Sequence, residues 1–428
     1  MHESDPAAEI VAAVRAGDVG RAAQLLVDVP DLRRRLDDSL PGLPFDGTLL
    51  LAAVGRSDRL MIDLLLENGA NINQRSRWWA GGFGVLDSNT ELADFLIARG
   101  AAVNVHAASR LGRSDTLIEL LTRDPSLVHA RGGDGQTPLH VAANVETARV
   151  LVERGAAIDT RDIDHESTPA QYAIRERQDV ARYLLSRGCR TDLLMAAALG
   201  ESALAERLLD ADPAAIRTVV SDRFFPMSNP RAGGTIYFWT LGRNKTAHAV
   251  AREFGHEALF QWLLERSPDG LALAVACEVE DEPLVRSLIA ARRATTTALS
   301  AEERRRIVDA AENNNARVVG LMLAAGWPVD ARGNHGATAL HFSAWHGDAA
   351  TVQELLVHRP PLAVRDEDFS STPMGWALHG SVHGWNAHRG NYPAVVQALL
   401  DAGATPPEMS EDLETTDAVR EVLRRAAR

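Results

Sequence analysis

Thr137-Pro138-Leu139-His140 decides the fold, because the phrase returns as Thr338-Ala339-Leu340-His341 and, in worn form, as Thr168-Pro169-Ala170 and Thr372-Pro373-Met374. Each copy opens a run of alanine and other small residues, and an amphipathic stretch follows. In the clearer copies that stretch stops at Gly-Ala, as at Gly155-Ala156 and Gly403-Ala404. A unit of ~33 residues cannot close a core by itself; it hides its apolar face only by stacking on its neighbours. The period therefore overrides the reading of 428 residues as two or three separate globules.

Composition narrows the function classes. The chain is 46% hydrophobic and 24% charged, and its 58 acidic against 45 basic residues leave a net charge of −13. That balance argues against a broad phosphate-binding face, so no nucleic-acid partner is expected. Cys189 and Cys277 lack disulfide or metal spacing and read as buried thiols. No apolar run approaches the ~20 residues of a membrane span. Met1-His2-Glu3-Ser4-Asp5 has neither a basic nor an apolar leader region. A cytoplasmic protein with no membrane partner is expected. Lys245 is the single lysine in a chain otherwise using arginine, a codon bias of GC-rich, bacterial coding.

The quoted motifs resemble the ankyrin repeat, whose signature includes T-P-L-H-x-A. The resemblance implies an all-α solenoid of about twelve helix–turn–helix units with short hairpin loops. The expected organisation is a capping repeat over 1–45, repeats over 46–213, and an aromatic insertion over 214–244. Repeats over 245–407 follow, with a second insertion at 381–391, and then a capping helix over 408–428 with Ser410 as its N-cap. Glycines at 69, 100, 155, 188, 326 and 403 fall where a helix ends with φ > 0. Gly81-Gly82 and Gly84 argue against a helix over 79–88. The resemblance gives His140, His248 and His341 an architectural role within and between repeats, and His256 likewise.

Functional candidates are the positions the repeat does not need. In ankyrin repeats, the residues seven and eight after the signature threonine face the concave groove, as do hairpin residues before it. Counting from each threonine gives Asn144 and Val145, Arg175 and Glu176, Glu253 and Phe254, Trp345 and His346, and His379. Alignment of weaker units adds Glu278 and Glu312, and the hairpins add His335, Asp368 and Phe369. Glu176, Glu253, Glu278 and Glu312 form an expected acidic ladder flanked by Trp345, His346 and His379. Trp239 belongs to the first insertion, and Trp385 and His383 to the second. Each insertion reads either as a lid over the groove or as an elaborated hairpin packed on its own repeats. His379 and His383 stand at i and i+4, the spacing of a helical metal pair. Gly380 and Gly384 argue against a continuous helix there, so no metal and no cofactor are expected.

The resemblance implies a protein-binding function through the concave groove. An acidic groove spotted with aromatic rings suits a basic partner. The alternative is a small-molecule-binding protein or an acid–base enzyme, performing elimination, isomerisation or cyclisation. Its catalytic candidates are His346, His379, Glu253, Glu278 and Glu312. Its ligand-binding candidates are Trp239, Trp345, Phe254, Trp385, His335, His383, Arg175 and Glu176. No nucleophile elbow, phosphate loop or dinucleotide fingerprint accompanies them.

Overall fold

Each repeat stacks because its second helix carries one narrow apolar stripe. In helix Arg59–Glu67 the buried side chains are Met61, Ile62 and Leu65; in Gln178–Ser186 they are Val180, Ala181 and Leu184; in Ala349–Val357 they are Thr351, Val352 and Leu355. The i, i+1, i+4 spacing puts these residues on a single face. Helices this short are marginal alone, so they persist because neighbouring repeats cover the stripe. Aspartate and asparagine start them: Asp58, Asp348 and Asn391 each accept a hydrogen bond from a first-turn N–H.

The computed structural model describes residues 5–291, 299–410 and 413–427. Arg292, the end of the expected ninth unit, and Arg428 lie outside the described residues, as do residues 1–4. The chain forms two compact units, one of residues 1–195 with 220–242 and one of 196–219 with 243–428. Both are helical repeat stacks. Among the described residues the extended structure is a single isolated bridge, Val219 to Thr246. One continuous core of the first unit runs from Ala7 to Ala107, and one of the second from Leu273 to Leu423. Both cysteines are buried and unpaired. No helix among the described residues is long and apolar enough to cross a membrane.

The repeats are tied by histidine. The Thr137 N–H donates to His140 Nδ1 at 3.0 Å. A backbone N–H can only donate, so Nδ1 is the acceptor and the proton sits on Nε2. Nε2 then donates to the Ser167 carbonyl at 3.1 Å, the residue just before the next signature threonine. Thr338, His341 and Ser371 repeat the arrangement at 3.1 and 3.3 Å. His106 reaches the Gln136 carbonyl, ahead of Thr137, at 3.0 Å. His248 instead meets the Ser267 hydroxyl at 2.8 Å, and His256 the Ala198 carbonyl at 3.1 Å.

Local departures have local causes. The repeat with the best signature has the shortest first helix, a 3₁₀ turn over Pro138–Val141. Asn144 does not end the first helix, where the count places it; it is the N-cap of the next helix, in a capping box with Thr147. The last helix spans Asp417–Ala426 and does not start at Ser410. The Arg420 guanidinium donates to the carbonyls of Ser410 and Leu413, ahead of that helix. Helix Pro373–His383 is continuous through Gly380, against the expected break. A Cβ there would lie 2.5 Å from the Trp345 carbonyl oxygen, so glycine serves close helix approach.

Both insertions pack on their own repeats. Gly233 N–H donates to the Asp164 carbonyl at 2.9 Å, Ile236 N–H to Ser167 Oγ at 3.1 Å, and Tyr237 O–H to Asp192 at 2.9 Å. The Ser228 and Asn229 N–H groups hold the Glu166 carboxylate. In the second insertion, Asn386 donates to the His346 carbonyl at 2.7 Å and Asn391 N–H to that of Gly347 at 2.8 Å.

Two outcomes follow for stability. Thr137→Val keeps the shape of the side chain but removes the hydroxyl beside His140, 2.9 Å from Nδ1. It is expected to cost about 1–2 kcal/mol in urea unfolding; an unchanged midpoint would contradict the role given to this threonine. Burial also lowers the pKa of His140 to about 3, and those of His248 and His341 to about 4. The unfolded chain binds these protons more readily, so their contribution is complete above about pH 6.5 and is lost as pH falls toward 4. Each imidazole is expected to contribute a slope of at most about 1.4 kcal/mol per pH unit. His341→Gln should flatten the stability curve in that window, and an unflattened curve would count against the mechanism.

Candidate functional site

Two first helices of the second unit, Ala339–His346 and Pro373–His383, and the hairpins ahead of them wall a pocket of about 520 Å³. Its lining includes His335, Phe342, Trp345, Phe369, Trp376 and His379. Trp376 is the hub. Its ring meets those of Phe342, Trp345 and Phe369 with centroids 5.1–6.3 Å apart, and its indole N–H donates to Asp366 at 2.9 Å. The Trp345 ring stacks on His379 at 5.6 Å and 28°. Phe369, 66% exposed, stands at the mouth. His335 sits in a left-handed turn at φ 59° with Nδ1 2.6 Å from the Asp368 carboxylate. The Gly380 approach fixes the distance between the two helices.

The structure thus brings together His335, Trp345, Phe369 and His379, and adds Phe342 and Trp376. Trp376 was legible as the residue four after Thr372, where Tyr172 follows Thr168. Trp385 is 68% exposed and meets the edge of His346 at 5.4 Å, without lining this pocket. His383 lies beside His379, with ring centroids 4.5 Å apart, and Nε2 is 2.9 Å from Glu414. The three have metal-like spacing, but all are exposed. His346 does not serve as an open proton-transfer group. It is buried, its Nε2–H donates to the Glu312 carbonyl at 3.0 Å, and burial holds its pKa below the usual imidazole range.

Three members of the acidic ladder, Glu253, Glu278 and Glu312, lie inside the second unit. A separate pocket of about 360 Å³ is lined by Lys245, Arg252, Glu253, Glu278, Arg306 and Asp309 among others. Glu278 accepts from the Thr246 N–H at 3.0 Å and hydroxyl at 2.8 Å, so it occupies the place that histidine fills beside other signature threonines. Burial pushes its carboxyl above the usual range. Glu253 pairs with Lys245. Glu312 accepts from Asn244 at 3.1 Å and from Asn334 at 2.8 Å. Glu278 and Glu312 therefore stabilise repeat junctions, whereas Glu253 is exposed and pairs within its own repeat. Phe254 is the half-buried cap of helix Ala247–Glu253.

The remaining candidates belong to the first unit. The Arg175 guanidinium donates to the Thr240 carbonyl, and Glu176 is exposed. Trp239, 60% exposed, packs on His165 with centroids 4.7 Å apart. His165 lies between Asp134 and Asp164. Sequence spacing did not single out this cluster, because its members come from two hairpins.

Comparison with protein families agrees with the repeat reading over part of the chain. Residues 105–193 match the family model for ankyrin repeats, in three copies. No curated protein matches the chain. Among solved structures, the chain is similar to the human ASB11 ankyrin repeat domain at 18% identity. That similarity has a TM-score of 0.31 and covers 60% of this chain and 98% of that one.

The close helix approach gives a direct check on the pocket. Gly380→Ala places a methyl against the Trp345 carbonyl and must push the helices apart. An expected loss of about 1–3 kcal/mol in unfolding free energy follows. Trp345 and Trp376 should change their fluorescence in the folded variant. An unchanged spectrum and stability would show that this contact does not set the pocket.

Proposed function

We propose that this ankyrin-repeat protein binds a protein partner, with the aromatic pocket of the second unit receiving a cationic side chain, arginine above all. The observation that carries the reading is the pocket wall itself. Trp345, Trp376, Phe369 and Phe342 surround a space of side-chain size, and His335 holds the Asp368 carboxylate at its hairpin. Aromatic faces attract a guanidinium or ammonium through the ring quadrupole, and nearby carboxylates favour the same sign. A chain of net charge −13 steers a basic partner toward it.

The acid–base alternative draws less support. Glu278, Glu312 and His346 are each engaged in holding repeats and Glu253 is paired with Lys245, which leaves His379 as the open imidazole of that set. Proton transfer needs a group within reach of a substrate and a second of opposite role.

The test is a tryptophan-fluorescence titration with a short arginine-containing peptide, set beside a glutamate-containing control. The arginine peptide should bind and the control should not. Phe369→Ala, a change at an exposed ring, should weaken binding by about tenfold, or 1.4 kcal/mol, at unchanged melting temperature. Equal binding of both peptides, or an unaffected variant, would refute the reading.

A further inference from the structure

We propose that Asp134, Asp164 and His165 of the first unit bind a divalent transition-metal ion of the zinc class. Their ligand atoms lie within 4.8 Å of one another. His165 Nε2 is 4.0 Å from Asp134 Oδ2 and 3.8 Å from Asp164 Oδ2. A tetrahedral zinc site places neighbouring ligand atoms about 3.3 Å apart. Closing on an ion therefore shortens the two imidazole–carboxylate distances by about 0.7 and about 0.5 Å and brings the two carboxylates together, movements made by side-chain torsions.

Each ligand is held by a second group that leaves one atom facing the centre. His165 Nδ1–H donates to the Gly234 carbonyl at 2.8 Å, which fixes the tautomer with a lone pair on Nε2. This is the backing that metal-bound imidazoles use. Asp134 Oδ1 accepts from the Trp78 indole at 3.0 Å, and Asp164 Oδ1 from the Gly233 N–H at 3.1 Å. Both Oδ2 atoms are left turned to the imidazole. The hairpins are locked to each other, since Ile163 and Asp164 N–H both donate to the Asp134 carbonyl, at 2.9 and 3.1 Å. Trp239 and Tyr172 flank the ring at 4.7 and 6.1 Å.

The electrostatics ask for a cation. His165 is 8% exposed, and Nε2 makes no hydrogen bond among the described residues. Asp134 and Asp164 are buried, and no arginine or lysine ion pair reaches either among the described residues. Two buried carboxylates without a contact ion pair to arginine or lysine are costly, and a bound divalent ion offsets that cost. One imidazole with two carboxylates favours a borderline ion over calcium or magnesium, which take oxygen ligands. Three protein ligands leave a coordination position for water.

The experiment uses the full chain with His379→Ala and His383→Ala, which removes the exposed trio. After chelator treatment and its removal, calorimetry with zinc chloride should show one equivalent, and calcium chloride should not match it. Cobalt(II) should give visible ligand-field absorption. Asp134→Asn and Asp164→Asn keep the Oδ1 acceptor but replace the free oxygen, so the hairpins retain their bonds. Each should weaken zinc binding by about tenfold or more. His165→Asn should abolish the cobalt bands. Circular dichroism of the metal-free variants verifies folding, and any variant that fails it is replaced by the other two. No zinc binding, equal affinity in the folded variants, or calcium binding as tightly as zinc would overturn the proposal.

Discussion

A neutral imidazole shared between two repeats is the constraint on which the stack depends. His140 and His341 each accept from the threonine N–H of their own repeat and donate to the carbonyl that precedes the next threonine. Protonation would turn the acceptor nitrogen into a donor facing another donor, and would charge a buried ring. Burial keeps the ring neutral, and neutrality keeps two repeats in register. Where histidine is absent the chain finds another acceptor for the same donors: Gln171 beside Thr168, and the Glu278 carboxylate beside Thr246.

That constraint decides where specialisation can occur. Side chains at the junctions are committed, which is why Glu278, Glu312 and His346 cannot also serve an open site. The hairpins are built more permissively around a different device. Asp162 accepts from His165 and Ser167 N–H and from the Tyr172 hydroxyl; Asp366 accepts from Phe369 and Ser371 N–H and from the Trp376 indole. One buried aspartate therefore sets the hairpin path and anchors an aromatic ring four residues past the threonine. The residues between differ in chemistry in the two hairpins.

The repeats were legible because threonine and histidine three apart serve one local bond, and the glycine stops mark helix ends at φ 86–100°. The pocket was legible in part: counting from Thr338 and Thr372 reached Trp345, His379, His335 and Phe369. Trp376 was not among the counted positions, because its place depends on a tertiary bond from its indole to Asp366. His346 misled because it satisfies the same count as Trp345 while turning inward to the Glu312 carbonyl. Continuity of the helix through Gly380 was hidden because its cause, a carbonyl of the neighbouring helix, is a tertiary contact. The Asp134 cluster was hidden for a similar reason. Its ligands lie on two hairpins and are aimed by Gly233 and Gly234 of a third segment.

Equivalent hairpin positions in the two units carry different chemistry on the same frame. Counting back from the threonines, Asp134 corresponds to His335, Asp164 to Asp368, and His165 to Phe369. In the first unit these places hold two carboxylates and an imidazole, pulled inward and covered by Trp239. In the second they hold one imidazole and one carboxylate, paired at 2.6 Å, and a phenyl ring turned outward. Replacing the third polar group by phenylalanine removes the possibility of a three-ligand centre and completes an aromatic wall instead. A loop whose path is fixed by one aspartate can thus present either a charge-rich or an apolar surface without disturbing the junction beneath it.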